Sequence, residues 1–174
     1  MIRDLTLLDA CIVCSDMRAE DVACVRAATG REPGEWFAVD RWQSNGPAWT
    51  WLQDGMPWAI GGLTLVNDWA GVAWFVARPG LRRSSWIAVV RAMHRVLRAS
   101  TATDNPQRRR RIEAHVLHGW VGASALARHM GLQFEGLRVG AGARGESFEM
   151  WGLVAPEGRK TPELERDTAT GVIA

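Results

Sequence analysis

Between two apolar runs, residues 48–52 and 56–66, the chain places the dipeptide Asp54-Gly55. A two-residue loop asks for positive φ at both positions. Asp-Gly meets that demand at low cost, and the resulting type I′ turn matches the twist of two antiparallel strands. The expected element is a hairpin. A second turn, Asn67-Asp68, leads into a third apolar run at 71–76 that carries Trp74 and Phe75. Three consecutive antiparallel strands form a meander, with Trp49 and Trp51 on one face of its first strand.

The rest of the chain alternates between periods. Residues 9–15, rich in Ile, Val and Cys, read as a short strand. Ser15 or Asp16 can cap a helix over 18–29, with Val22 and Val25 on one face and Gly30 at its end. Residues 31–48 hold Pro, Gly and polar breaks and read as irregular structure pinned by Trp36, Phe37 and Trp42. A loop at 77–83 precedes a long helix capped by Ser84 or Ser85 and reaching about Ala99. Ile87, Val90, His94 and Leu97 form its buried stripe, and Arg91, Arg95 and Arg98 its solvent face. After a polar loop at 100–107 come a strand (111–117), a helix (122–129, stopped by Gly131) and two strands (133–139 and 147–154) joined by a Gly-rich turn. The order β-α-β-β-β-α-β-α-β-β defines an α/β domain over 1–154 whose mixed sheet begins antiparallel, followed by a polar tail, 155–174, flexible or held by a partner.

A length of 174 residues suits one domain, and 47% apolar with 23% charged residues suits a globular one. The net charge of +2 is too small to imply nucleic-acid binding by itself. No apolar run is long enough to span a bilayer, and Asp4 and Asp9 break the N-terminal stretch where a signal peptide would be apolar. Cys11, Cys14 and Cys24 lack the further ligands a zinc site needs, so they read as buried, reduced thiols in a cytoplasmic protein, and no metal is expected.

Two local patterns sharpen the element order. Phe75-Val76-Ala77-Arg78-Pro79 precedes a basic, small-residue loop and a long helix. Ala125-Leu126-Ala127-Arg128-His129-Met130-Gly131-Leu132 is followed by Glu135-Gly136. Over residues 9–154 the chain resembles the GNAT acetyltransferases, whose equivalent of the second stretch reads A-L-Y-E-K-L-G-F. The resemblance implies a GNAT-type mixed sheet with flanking helices. It also implies a site at which a loop of the form R/Q-x-x-G-x-G/A holds the pyrophosphate of acetyl-CoA at a helix N-terminus. The matching stretch is Arg82-Arg83-Ser84-Ser85-Trp86-Ile87, with side chains at Arg83, Ser85 and Ile87 where the family has glycine or alanine. If acetyl-CoA is bound, the resemblance assigns it to Val76, Arg82, Arg83, Ser84 and Ser85. The tyrosine that many family members use as general acid falls on Ala127, and the chain has no Tyr. Losing such a group typically costs about 10²–10⁴-fold. Glu113 and His115 could each serve as a base, on one face of their strand.

Pro57-Trp58-Ala59-Ile60-Gly61-Gly62, Trp74-Phe75-Val76 and Gly131-Leu132-Gln133-Phe134-Glu135 also resemble a narrower group, the GNAT-like internal virion proteins of short-tailed autographivirus-type phages. That resemblance implies a role in virion structure or assembly, in the virion or the host cytoplasm, with other phage structural proteins or further copies of the chain as partners. Three readings follow. The leading one is a non-catalytic GNAT-fold contact protein with no catalytic residue and no cofactor. Its contact candidates are Trp36, Trp42 and Trp120, from a chain with ten Trp, and Arg108, Arg109, Arg110 and Arg111. The second is an acetyl-CoA-dependent N-acetyltransferase with a divergent loop. The third is a nucleic-acid-binding module built on the arginine run, which reads equally as a solvated loop edge.

Overall fold

The computed structural model describes residues 1–105 and 108–155, so the expected C-terminal tail lies, after Ala155, outside the described residues. The elements are β1 (Ile2–Asp4), α1 (Leu7–Cys14), α2 (Ala19–Thr29), α3 (Glu35–Trp42), β2 (Ala48–Gln53), β3 (Met56–Leu65), β4 (Ala70–Ala77), α4 (Arg83–Thr101), β5 (Arg111–Leu117), α5 (Val121–His129), β6 (Gln133–Arg138) and β7 (Phe148–Val154). They build one seven-stranded mixed sheet in the order β1-β2-β3-β4-β5-β7-β6.

The meander forms as its turn residues dictate. Asp54 and Gly55 take φ of 52° and 80°, and β2 pairs antiparallel with β3, and β3 with β4. Helices cover both faces. On one, Ala10, Val13 and Cys14 of α1, Val25 of α2 and Phe37 and Ala38 of α3 pack on Ile60 and Val76. On the other, Leu97 of α4 and Ala127 of α5 pack with Leu63, Ile112, Val116 and Trp151. Trp51, Trp58 and Trp74 are half-buried, and Trp74 packs against the first of these cores.

Four local expectations are corrected. Residues 9–15 are helical. Thr6 caps α1 by accepting the Asp9 N–H at 3.2 Å, and Asp9, Ala10, Val13 and Cys14 turn inward at helical spacing. A short apolar run does not reveal its period. The buried Asp9 carboxylate is met by Arg3 at 2.7 Å and by the Thr50 hydroxyl at 2.9 Å, which ties α1 to β1 and β2. The strand β1 itself was not expected. Residues 31–48 contain α3, which begins at Gly34 and buries Phe37 and Ala38. The helix stripe on α4 is Val89, Ala92 and Leu97, and Ile87 is 46% exposed.

The proposed caps also differ. Arg18 and Arg82 hold the N-cap positions of α2 and α4 without a side-chain cap, while Ser84 and Ser85 lie in the first turn of α4. Asp16 turns instead to Arg78, at 2.9 Å. The three cysteines are free thiols, and burial pushes Cys14 up to about 12, with the neighbouring Cys11 adding to the shift.

A cleft between parted strands

The strands β4 and β5 run parallel and pair only from Ala70–Val72 against Arg111–Glu113. Beyond Val72 and Glu113 they part, although β4 continues to Ala77 and β5 to Leu117. The gap opens a cleft of about 1040 Å³ walled by β4, β5, α4 and α5 and reached from the start of α2.

Parting two strands strands their edge groups, and each needs a new partner. Alternation along β4 settles which groups face the gap. The Arg78 N–H donates to Trp58 O at 2.8 Å, toward β3, so Ala77 and Phe75 turn their main-chain groups toward β5. At Ala77 both are satisfied by the start of α2: its N–H donates to Asp21 Oδ2 at 3.1 Å, and its C=O accepts the Arg18 N–H at 2.9 Å. The N–H and C=O of Phe75 face the gap where β5 no longer pairs.

The Arg18 side chain crosses the mouth of this gap. Its guanidinium lies 5.9 Å from the ring centre of Phe75, 5.3 Å from that of Trp86 and 5.7 Å from that of Trp120, one ring each from β4, α4 and the turn before α5. Its Nε and Nη2 grip Asp21, leaving Nη1 without a hydrogen-bond partner among the described residues. Burial pushes the Asp21 carboxyl above its ordinary value in spite of the Arg18 hydrogen bonds.

At the outer end of the cleft stands the start of α4. The Arg82 side chain is turned away to Asp54 at 2.6 Å, and its N–H donates to Gln53 Oε1 at 3.1 Å. The N–H groups of Arg83, Ser84 and Ser85 meet no acceptor among the described residues, as expected of a first helical turn without a cap. Of the side chains that stand where the family has glycine or alanine, Arg83 and Ile87 are exposed and Ser85 is half-buried.

On the α2 side of the sheet, His115 follows the last paired residues of β5 and lines the cleft. Its Nε2 is 3.5 Å from Glu113. Glu113 also accepts from Arg111 Nε at 2.5 Å, and Arg111 bridges on to Glu135. The Arg111 hydrogen bond holds the Glu113 carboxyl below its ordinary range. A second histidine, His118, rests 3.2 Å from Glu149, which Ser124 and the Trp151 indole also bond, but these groups do not line the cleft.

The structure sorts the sequence-derived candidates. Ser84 and Ser85 stand in the first turn of α4, just before the cleft-lining Trp86 and Ile87, whereas the Val76 side chain is buried against α1 and α3, and the residue whose main chain faces the gap is Phe75. Trp36 and Trp120 are half-buried against the two cores, and Trp42 is 44% exposed. The arginine run is divided. Arg111 is committed to two carboxylates, Arg109 Nη1 donates to Asp68 O at 2.5 Å, Arg110 is exposed, and the Arg108 N–H donates to Asn105 O at 3.0 Å. Arg18, Asp21, Phe75 and Trp86 were not anticipated. Arg18 and Asp21 share the first turn of α2, but Phe75 comes from β4 and Trp86 from α4, so only the fold assembles the four. Among the described residues no group of side chains has the composition of a metal site, and no helix is long and apolar enough to cross a membrane.

A mixed sheet whose central parallel pair opens beside a helix N-terminus is the architecture of the GNAT acetyltransferases, and this chain has that fold. It is similar to a GNAT-superfamily phosphinothricin acetyltransferase from Sinorhizobium meliloti, solved with AcCoA, at 15% identity and a TM-score of 0.64, covering 97% of this chain and 96% of that one. It is likewise similar to a spermidine N-acetyltransferase variant from Vibrio cholerae (14% identity, TM-score 0.64, covering 92% and 98%). A third likeness is to a GNAT-family acetyltransferase from Streptococcus pneumoniae (16% identity, TM-score 0.60, covering 88% and 98%). No family model and no curated protein matches the sequence.

The residues present fit acetyl-CoA. The cleft lies at the upper end of the ~300–1,000 Å³ range of ligand pockets. The open edge at Phe75 suits an amide-bearing arm, and the free N–H groups of Arg83, Ser84 and Ser85 suit its phosphates.

Proposed function

We propose that this protein is a divergent acetyl-CoA-dependent N-acetyltransferase. The observation that carries the reading is the parting of β4 and β5 after Val72 and Glu113, which leaves an edge, a cleft and an uncapped helix start in one line. In this reading the first turn of α4 holds the phosphates through main-chain N–H groups and the Ser84 and Ser85 hydroxyls. The Phe75 main chain aligns the arm by the same hydrogen bonds it would offer a neighbouring strand. Acetyl-CoA supplies an activated thioester at the bottom of the cleft.

The acceptor amine approaches from the α2 side, where His115 is the candidate base. Glu113 faces its Nε2 and Arg111 fixes Glu113, so the imidazole is oriented to take the amine proton. The family position of the general acid holds the buried Ala127, so α5 offers no proton to the departing thiolate there.

Calorimetry with acetyl-CoA tests the reading. Micromolar binding, with thiol release in the presence of an amine panel, is the expected result. Absence of binding at millimolar acetyl-CoA would overturn it and return the chain to the contact-protein reading.

A further inference from the structure

The cleft does not end where an acetyl group would. It continues beneath α4 toward β2, between a floor that includes Trp49, Trp51, Leu63 and Ala73 and a roof that includes Val90 and Met93. The register explains its shape. On this face of the sheet Trp51, Ala59 and Ala77 form one row across β2, β3 and β4, and Trp49, Gly61 and Phe75 form the next. Small residues on the middle strand, flanked by an indole wall on β2, leave a furrow along β3. Gly61 keeps it open, and a Cβ there would come within 3.2 Å of Phe75 and 3.1 Å of the Trp74 carbonyl. The floor carries no charged side chain; of the Arg and Asp side chains that line the cleft, Arg18 and Asp21 sit at the gap between β4 and β5 and Arg91 on α4.

An acetyl group leaves the apolar surface of such a furrow to water, and filling it with hydrocarbon is favourable in proportion to the apolar area covered. A furrow with an apolar floor, continuous with the gap between β4 and β5, has the form of a seat for a single alkyl chain. We infer that the preferred donor carries a medium or long unbranched acyl chain, octanoyl or longer, laid in the furrow between β3 and α4. This rests on the acyltransferase reading of the cleft and names its substrate class. Continuity with the gap decides for an acyl chain over a peptide or a second copy of the protein.

Isothermal titration of the full chain with acetyl-, butyryl-, octanoyl- and dodecanoyl-CoA tests it. Each buried methylene is worth about 0.8 kcal/mol, about fourfold in affinity. Octanoyl-CoA is expected to bind at least 100-fold more tightly than acetyl-CoA, and Val90→Trp, which fills the roof, to erase that difference. If the variant does not fold, quenching of wild-type tryptophan fluorescence by a bromine-substituted octanoyl-CoA reads the same contact through Trp49 and Trp51. Equal affinity for acetyl- and octanoyl-CoA, or no quenching, overturns the inference and leaves the functional reading standing. Free octanoate and dodecanoate separate the two ideas in the other direction. Chain-length-dependent binding of the free acids without binding of any CoA ester would keep the furrow and remove the acyltransferase reading. No binding of esters or acids would remove both.

Discussion

Arg18 and Asp21 form a forked ion pair across the first turn of α2, Nε to Oδ2 at 2.7 Å and Nη2 to Oδ1 at 3.0 Å. The same two residues replace the strand that Ala77 lacks, one through its main-chain N–H and the other through its carboxylate. The pair is therefore a clasp between α2 and the open edge of β4, and the aromatic rings around Arg18 hold it at the mouth of the cleft.

Removing the carboxylate tests the clasp. Asp21→Ala leaves the Arg18 guanidinium unpaired in a largely covered position and the Ala77 N–H without an acceptor. A loss of about 2–3 kcal/mol is expected, below the full cost of breaking a wholly buried pair because the Arg18 side chain is 24% exposed. Urea unfolding should show it as a lower midpoint at unchanged slope.

Two glycines of the meander separate backbone strain from packing. Gly55 has φ of 80° with open space where a Cβ would go, so Gly55→Ala is expected to cost only the left-handed conformation, about 1 kcal/mol. At Gly62 a Cβ would lie 2.7 Å from Pro47 O and 2.9 Å from Ala48 Cβ and from the Trp74 ring. Gly62→Ala is expected to cost about 2–3 kcal/mol through overpacking. Thermal unfolding of the two variants side by side checks the order, and an equal loss would show that the strands shift to make room.

The acid limb of stability should depend on Arg111. Its hydrogen bond lowers the Glu113 carboxyl in the folded chain below the 4.5 of a free one. A group whose folded pKa is depressed stabilises the fold above its unfolded value, and that contribution is lost as pH falls through the folded value. Wild-type stability should therefore be complete with respect to this pair at pH 7 and fall below pH 4.5, and Arg111→Met should be less stable at pH 7 with a shallower acid limb. Denaturant titrations at pH 7 and pH 3.5 measure both.

For the reaction, His115→Gln is expected to lower kcat by about 10²–10⁴-fold while leaving the affinity for the donor unchanged, since the imidazole is assigned to the acceptor side. A loss of donor affinity instead would place His115 in donor binding and remove it as the base.

Much of the fold was legible because local chemistry fixed it. Asp54-Gly55 allows few conformations other than the turn it makes, and the sheet that grows from it follows. The failures share a cause. Residues 9–15 are a short apolar segment that suits helix or strand alike, residues 35–42 lie among Pro, Gly and polar breaks that read as irregular, and in both the helix forms where it packs on Ile60 and Val76. The site was legible at its α4 end and at Glu113 and His115, where neighbours in sequence are neighbours in space, and not where α2 meets the edge of β4.

The sequence by itself determined the meander, the helices α2, α4 and α5, and the absence of a tyrosine acid. Tertiary structure alone decided that β4 and β5 part after three paired residues, that α2 clasps the freed edge, and that Phe75, Trp86 and Trp120 enclose one guanidinium. The physical reason is range. A turn is set by the φ values of two adjacent residues, whereas a cleft is set by which distant groups satisfy the hydrogen bonds that two strands decline to make.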